Sequence, residues 1–141
     1  MLCSRFIGLD YELGADGTGN AIDCIHLVLG VLDDLNIKRP AMDPTWYKGN
    51  RYKIGRDLAD WGRRIEVPSY DGDIIVWTDR LFAFGVIWSQ GILAISDQTR
   101  KVAWFPLRAV SLTDARFYRT KNSSQNCLAS LSKNMYASAK S

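Results

Sequence analysis

The segment Gly14–Leu35 reads GADGTGNAIDCIHLVLGVLDDL, a glycine-rich loop that leads into the strongest apolar stretch of the chain. Asn20 is a suitable N-cap and Asp23 would fall in the first turn, so we expect a helix over residues 21–35. Apolar side chains nearly encircle this helix, which is typical of a central, buried element. Cys24 lies at its start, where unpaired backbone N–H groups and the helix dipole stabilise a thiolate. The segment therefore predicts both the core helix and a candidate nucleophile.

Length and composition predict one globular domain. The chain has 141 residues, of which 47% are apolar and 23% charged, and its net charge of +3 does not require a nucleic-acid partner. Cys3, Cys24 and Cys127 are odd in number and lack metal-type spacing, so we expect no disulfide framework, metal or cofactor. No basic-then-apolar signal peptide is visible, and the apolar stretch around Leu27 is too short to span a bilayer. We therefore expect folding in a reducing cytoplasm and no membrane partner.

The rest of the chain predicts an α+β domain with N-terminal helices packed on a five- to six-stranded antiparallel sheet. A second helix is expected within Lys48–Arg64. The expected strands, joined by tight turns such as Gln90-Gly91, form a meander: Asp73–Trp77, Leu81–Ser89, Ile92–Ser96, Lys101–Phe105 and Arg116–Arg119. Leu81–Ser89 is apolar on both faces and should lie in the middle of the sheet. The domain spans residues 1–121, and we expect the polar tail 122–141 to contact a partner.

A series of motifs occurs in a fixed order. The chain carries GLDYELG at Gly8–Gly14, then Asp23-Cys24, then GDIIVW at Gly72–Trp77, then AFGVIWSQGILAIS at Ala83–Ser96. These motifs resemble NlpC-type cell-wall cysteine peptidases, which have a circularly shuffled papain-like fold. That family has Gly-x-x-Tyr-x-x-Gly, a helix opened by Asp-Cys, a Gly-Asp before a strand, and a His-x-Gly-Ile strand followed by another. The resemblance covers about residues 6–107. It implies that Cys24 is the nucleophile and Tyr11 a hydrogen-bonding neighbour of the site.

The same resemblance implies that the peptidase chemistry has been lost. The catalytic histidine of the family falls on Ala83, and the polar residue that orients it falls near Ile95. Without a base, only a few per cent of a cysteine is thiolate at neutral pH, and loss of the base in serine triads costs on the order of 10⁴- to 10⁶-fold. His26 is the only histidine, but it lies two residues beyond Cys24 and points to another side of the helix. It is a weak candidate base, and partial burial with a bond to the backbone is favoured.

Three functions remain open. The first is a catalytically inactive NlpC-like structural or docking component of a bacteriophage tail tip or baseplate. Such a pseudoenzyme would be assembled in the host cytoplasm and carried in the virion. It would contact other tail proteins through the C-terminal tail and its aromatic surface, with peptidoglycan as a further partner. The second is an active peptidase that cleaves peptidoglycan stem peptides, with Cys24 as nucleophile and His26 or, less plausibly, Asp23 as base. The third and weakest is a nucleic-acid adaptor.

For each candidate functional feature, a purely structural role is the alternative. Cys24 is either a nucleophile or a small buried hydrophobic residue, and the lack of a base favours the second. The loop Gly14–Asn20 suggests a phosphate or calcium site, but a flexible connection is favoured because the required Lys-Ser/Thr and distal Glu are missing. A basic cluster interleaved with aromatic residues is diluted by Asp57 and Asp60, which favours a solvated helix face. Its cationic members are Lys48, Arg51, Lys53, Arg56, Arg63 and Arg64.

Overall fold

The computed structural model describes residues 3–48 and 51–121 of the chain. The helices are α1 (Cys24–Asp34) and α2 (Arg51–Trp61), with short 3-10 segments at Cys3–Phe6, Pro44–Lys48 and Leu107–Ala109. The strands are β1 (Asp10–Tyr11), β2 (Ala21–Ile22), β3 (Gly62–Ile65), β4 (Ile74–Trp77), β5 (Phe84–Trp88), β6 (Gly91–Ile95), β7 (Val102–Pro106) and β8 (Ala115–Thr120). The expected α+β class with a six-stranded antiparallel sheet is confirmed.

The six-stranded sheet has the order β3-β8-β4-β5-β6-β7. Strands β4 to β7 form the expected meander, and β5 lies inside the sheet as its two-sided apolar pattern predicted. The meander is wrong at its last strand, because β8 pairs with β3 and β4 rather than with β7. The connection before β8 packs on the outer face of the sheet, where Trp77, Ile87 and Ile92 are buried against side chains such as Leu107 and Leu112. This connection takes the chain from β7, at one edge of the sheet, to the position between β4 and β3 near the opposite edge.

Strand β3 was not expected, because its first three residues fell within Lys48–Arg64, where the second helix was predicted. The helix ends at Trp61, and Gly62 begins the strand opposite Thr120. A Cβ at Gly62 would lie 2.0 Å from the backbone oxygen of Arg119, so only glycine allows this close approach. Because glycine has no side chain, position 62 is where the helix can end and the strand can begin.

The N-terminus of α1 also differs from the expectation. Asp23 is the N-cap, with φ −99° and ψ 172°, and its carboxylate accepts a 2.7 Å hydrogen bond from the backbone N–H of His26. The prediction of Asn20 as N-cap was wrong, because Ala21–Ile22 form β2 and pair in parallel with β1. Backbone groups that pair with another strand cannot also enter the first helical turn.

The main core lies between α1 and the inner face of the sheet. Fully or almost fully buried side chains on α1 meet those of β5 and β6, and these include Leu27, Val28, Val31, Leu32, Val86, Leu93 and Ile95. The turn between β5 and β6 consists of Ser89 and Gln90, one residue earlier than expected. None of the helices in the described ranges is long and apolar enough to cross a membrane. The tail 122–141 and Cys127 lie outside the described residues.

Candidate active site

Cys24 occupies the first position of α1, directly after the N-cap, and packs half-buried against the main core. Burial raises the pKa of its thiol to about 11, and the charge of Asp23 acts in the same direction. Hydrogen bonds from the backbone of Phe84 and Ala83 favour the thiolate without cancelling the effect of burial. The expectation that the helix start stabilises a thiolate is therefore wrong. Cys24 is a neutral thiol at pH 7.

Ala83 and Ile95 occupy the positions where the resemblance places a catalytic histidine and its orienting residue. The backbone of Ala83 reaches the thiol of Cys24, and its half-buried methyl group packs against the core. Ile95 is completely buried in that core. Neither side chain can accept or donate a proton, and the contact of Ala83 with the thiol of Cys24 is made by its backbone.

His26 pairs with Asp23 rather than with Cys24. Its Nδ1 lies 3.0 Å from Oδ1 of Asp23 and 3.0 Å from the hydroxyl oxygen of Tyr47. Because a carboxylate only accepts hydrogen bonds, Nδ1 carries the proton in this pair. The expected bond to the backbone is thus replaced by a bond to a carboxylate. Across residues 3–48 and 51–121, no imidazole makes a hydrogen bond to the sulfur of Cys24.

Asp23 is the polar centre of this region and is 1% exposed. Its Oδ2 accepts hydrogen bonds from the backbone N–H of Gly14 at 2.9 Å and from the hydroxyl of Tyr47 at 2.7 Å. Its Oδ1 accepts from the backbone N–H and from Nδ1 of His26. Every acceptor position is therefore used within the protein, as buried carboxylates require. Asp23 joins the glycine-rich loop, the helix and the Pro44–Lys48 segment, and it has no spare capacity to act as a base.

Tyr47 belongs to this site, although no pattern in the sequence indicated a role for it there. It lies 24 residues after Asp23, and no motif or spacing links the two. Burial raises the pKa of Tyr47, and its hydrogen bond to Asp23 acts in the same direction, so the phenol stays protonated and donates. Its hydroxyl thus holds the carboxylate that orients His26.

Tyr11 lies near the thiol, as the resemblance implied. Its ring packs against Phe82 with centroids 4.7 Å apart, and burial raises its pKa, with the charges of Cys24 and Asp23 acting in the same direction. Its hydroxyl makes no hydrogen bond to any residue that the structure describes. Tyr11 is therefore a neighbour of the site without the hydrogen-bonding role that the family assigns to it.

The glycine-rich loop is a docking connection. Asp16 closes a local turn by accepting hydrogen bonds from the backbone N–H and hydroxyl of Thr18. The carbonyl of Ala15 accepts from the backbone N–H of Asp23, and Gly14 binds the carboxylate of that residue. These bonds fix the entry to α1. Within the described ranges, no group of three histidine, cysteine or acidic side chains could hold a metal ion.

Within the basic cluster, Lys53 pairs with two acidic neighbours. Lys53 lies 2.9 Å from a carboxylate oxygen of Asp57 and 3.3 Å from one of Asp43. Trp46 is buried, stacks on Phe84 and donates its indole N–H to Asp57. The contacts of Trp46, Lys53 and Asp57 therefore join α2 to the core.

Comparison with protein-family models, curated proteins and solved structures found no match to this chain. The NlpC-type resemblance therefore rests on the order of its motifs and stays a prediction.

Proposed function

We propose that this chain is a catalytically inactive NlpC-like domain with a papain-like fold, serving as a docking component of a bacteriophage tail tip or baseplate. The observation that carries the proposal is the environment of Cys24. A neutral thiol stands at the nucleophile position, and Ala83 stands beside it where the family has its histidine. The NlpC-like family is inferred from the order of the motifs, and the role in a phage tail is inferred from that family.

The chemistry of amide cleavage explains why this environment supports inactivity. Attack on a carbonyl needs a thiolate, and departure of the amine needs an acid that protonates it. With a pKa of about 11, roughly one Cys24 in 10⁴ is ionised at pH 7. The one imidazole of the chain makes no hydrogen bond to the thiol of Cys24, because His26 lies on another side of the helix with its Nδ1 bound to Asp23 and Tyr47. Both requirements of the reaction are therefore unmet.

A docking role is consistent with what the surface exposes. The described residues include large apolar side chains that are mostly solvent-exposed, namely Leu13, Tyr52, Val67 and Leu81. Scattered apolar side chains are normal on a soluble protein, so they permit protein contacts without defining them. The domain keeps a complete core while its nucleophile is inert, which suits a protein selected for its shape and contacts.

The test combines hydrolysis with assembly. The purified chain is incubated with peptidoglycan fragments that carry stem peptides, and we expect mass spectrometry to find every amide intact. In phage particles, Cys24→Ala should neither block tail assembly nor lower infectivity. Arg119→Gln, which breaks a buried ion pair to Asp73, is the control that shows the assembly assay responds to a destabilised fold. Loss of infectivity in Cys24→Ala with the fold intact contradicts the proposal.

The second candidate is an active cysteine peptidase, and one observation favours it. Asp23 and His26 form a carboxylate–imidazole pair on either side of Cys24 in the sequence, and such a pair orients the base in catalytic triads. It would require the first turn of α1 to open so that the imidazole reaches the thiol. Hydrolysis of a stem peptide by the wild-type chain, abolished in both Cys24→Ala and His26→Gln, would support this candidate over the first.

A further inference from the structure

The outer edge of β7 is unpaired at Trp104 among the residues that the structure describes. The backbone N–H of Ser96 donates to the carbonyl of Lys101 at 2.9 Å, which fixes the hydrogen-bonding phase between β6 and β7. In an antiparallel pair this phase alternates along the strand. The backbone groups of Val102 and Trp104 therefore point outward, away from β6.

The outward-facing residues of β7 are Val102, Trp104 and Pro106, and the first two differ in their partners. Val102 donates its N–H to the carbonyl of Leu9 and accepts from the N–H of Gly8, both at 2.9 Å. The N-terminal segment thus covers the first part of the edge. The outward N–H and carbonyl of Trp104 have no partner among residues 3–48 and 51–121. Unpaired edge groups of this kind are a template for one more strand.

A cleft of about 720 Å³ begins at this free part of the edge, and we call it the β7 cleft. Leu107, Val110 and Leu112 give it an apolar wall. Trp104 lines it as well and is 37% exposed. The indole N–H of Trp104 donates to the carbonyl of Trp88 at 2.9 Å, which fixes the ring without help from a ligand. A fixed aromatic ring beside an apolar wall is suited to bind an apolar side chain, because little side-chain entropy is lost.

The β7 cleft also contains an unpaired cation. Arg108 lines it, is exposed, and forms no ion pair with a described residue. Arg5, Arg39, Arg80 and Arg119 each pair with a carboxylate of the protein, whereas Arg108 shares its lack of a described ion-pair partner with exposed arginines such as Arg116 and differs from them in lining the cleft. The planar guanidinium group binds carboxylates in a bidentate manner. The charge of the cleft therefore favours a ligand that brings a carboxylate.

The turn beside the β7 cleft contains two polar residues with strained backbone φ angles. Ser89 and Gln90 have φ values of 54° and 64°, in the left-handed region where a two-residue hairpin turn prefers Asn-Gly. Both residues line the cleft and are exposed. Their side chains add hydrogen-bonding groups at the rim, where glycine would add none.

We propose that the free edge of β7 and the β7 cleft bind an extended peptide of a partner protein that carries an apolar side chain next to a carboxylate. The peptide adds as a short strand at Trp104, places its apolar side chain against the wall that contains Leu112, and binds Arg108 through its carboxylate. This proposal deepens the docking role and rests on it, because it names the chemistry of the partner. A glycan would stack on the indole but would leave the strand edge and the apolar wall unused, so a peptide is favoured.

The experiment uses an array of synthetic hexapeptides that combine β-branched residues, a carboxylate and an apolar residue at all positions. The array is probed with the fluorescently labelled full-length chain, and the strongest binders are titrated by fluorescence anisotropy. We expect binders to contain both a carboxylate and an apolar residue. Arg108→Gln should weaken their binding about fivefold, whereas Arg116→Gln, a change at an exposed position on β8, should leave it unchanged.

A change in the peptide tests strand addition without perturbing the protein. N-methylation of the peptide at the position that pairs with Trp104 should abolish binding, whereas N-methylation at the neighbouring position should not. Three results overturn the proposal: no peptide binds, binders are insensitive to both Arg108→Gln and N-methylation, or a glycan array binds while the peptide array does not. Since the array measures only the β7 edge, its failure is distinguishable from a failure of the proposed function, which is measured by hydrolysis and infectivity.

Discussion

Alkylation of Cys24 by iodoacetamide should be slow at neutral pH and should accelerate only as the pH approaches 11. Burial raises its pKa from 9.0 to about 11, so the thiolate fraction at pH 7.5 falls about a hundredfold below that of an ordinary thiol. The intrinsic reactivity of a thiolate rises with its pKa, with a Brønsted slope of about 0.4–0.5, which recovers close to tenfold. The net expectation is alkylation about tenfold slower than that of a free thiol, before steric shielding slows it further.

The assay is peptide mapping after timed alkylation between pH 6 and pH 11. Trypsin separates the three cysteines, because Cys3, Cys24 and Cys127 fall in the fragments 1–5, 6–38 and 122–133. Cys3 is an internal negative control, since it is completely buried and burial raises its pKa to about 12. A small thiol in the same tube gives the reference rate at each pH.

The result that refutes this reasoning is an inflection for Cys24 below pH 8. Such a thiolate would need a nearby positive charge, or hydrogen bonds from the backbone of Ala83 and Phe84 strong enough to outweigh burial. It would also remove the main support for inactivity and favour the peptidase.

The remaining predictions concern one engineered base and two terms in stability. Ala83→His should lower the pH of the Cys24 alkylation inflection by about 1 to 3 units relative to Ala83→Gln; equal profiles would show that position 83 does not face the thiol. Arg119→Gln should lower the free energy of unfolding in urea by about 3 kcal/mol, because it leaves the buried Asp73 carboxylate without its bidentate partner, whereas Arg116→Gln should change it by less than about 0.5 kcal/mol. The raised pKa of Cys24 contributes stability below pH 9 that is lost as the pH rises toward 11; unfolding measured across this range should show a loss of roughly 2–3 kcal/mol that Cys24→Ala does not show.

The core elements could be predicted because their signals are local. The apolar side chains of α1 nearly encircle the helix over a long continuous stretch, and the strand β5 is apolar on both faces. Choosing the N-cap was harder, since Asn20 and Asp23 are both good caps. The choice was decided by the pairing of β2 with β1, which joins residues about ten positions apart. A local pattern contains no information on such a pairing.

The sheet order and the site depended on longer-range contacts. A sixth strand can add to either edge or insert beside β4, and its sequence is compatible with each place. In the structure β8 lies beside β4, and the connection 107–114 packs on the outer face of the sheet. The position of Cys24 was readable from Asp23-Cys24, but its pKa was not, because burial comes from the fold rather than from the helix start. Tyr47 was missed since only the folded chain brings it to Asp23.

The carboxylate of Asp23 makes three separate parts of the chain depend on one another. Gly14 in the loop, His26 in the helix and Tyr47 in the 3-10 segment all donate to its two oxygens. If any one of them detaches, a buried anion loses a donor and the other two contacts weaken. Local opening of this corner should therefore be cooperative, and the amide protons of Gly14 and His26 should exchange with solvent deuterium at a common rate set by a single opening event.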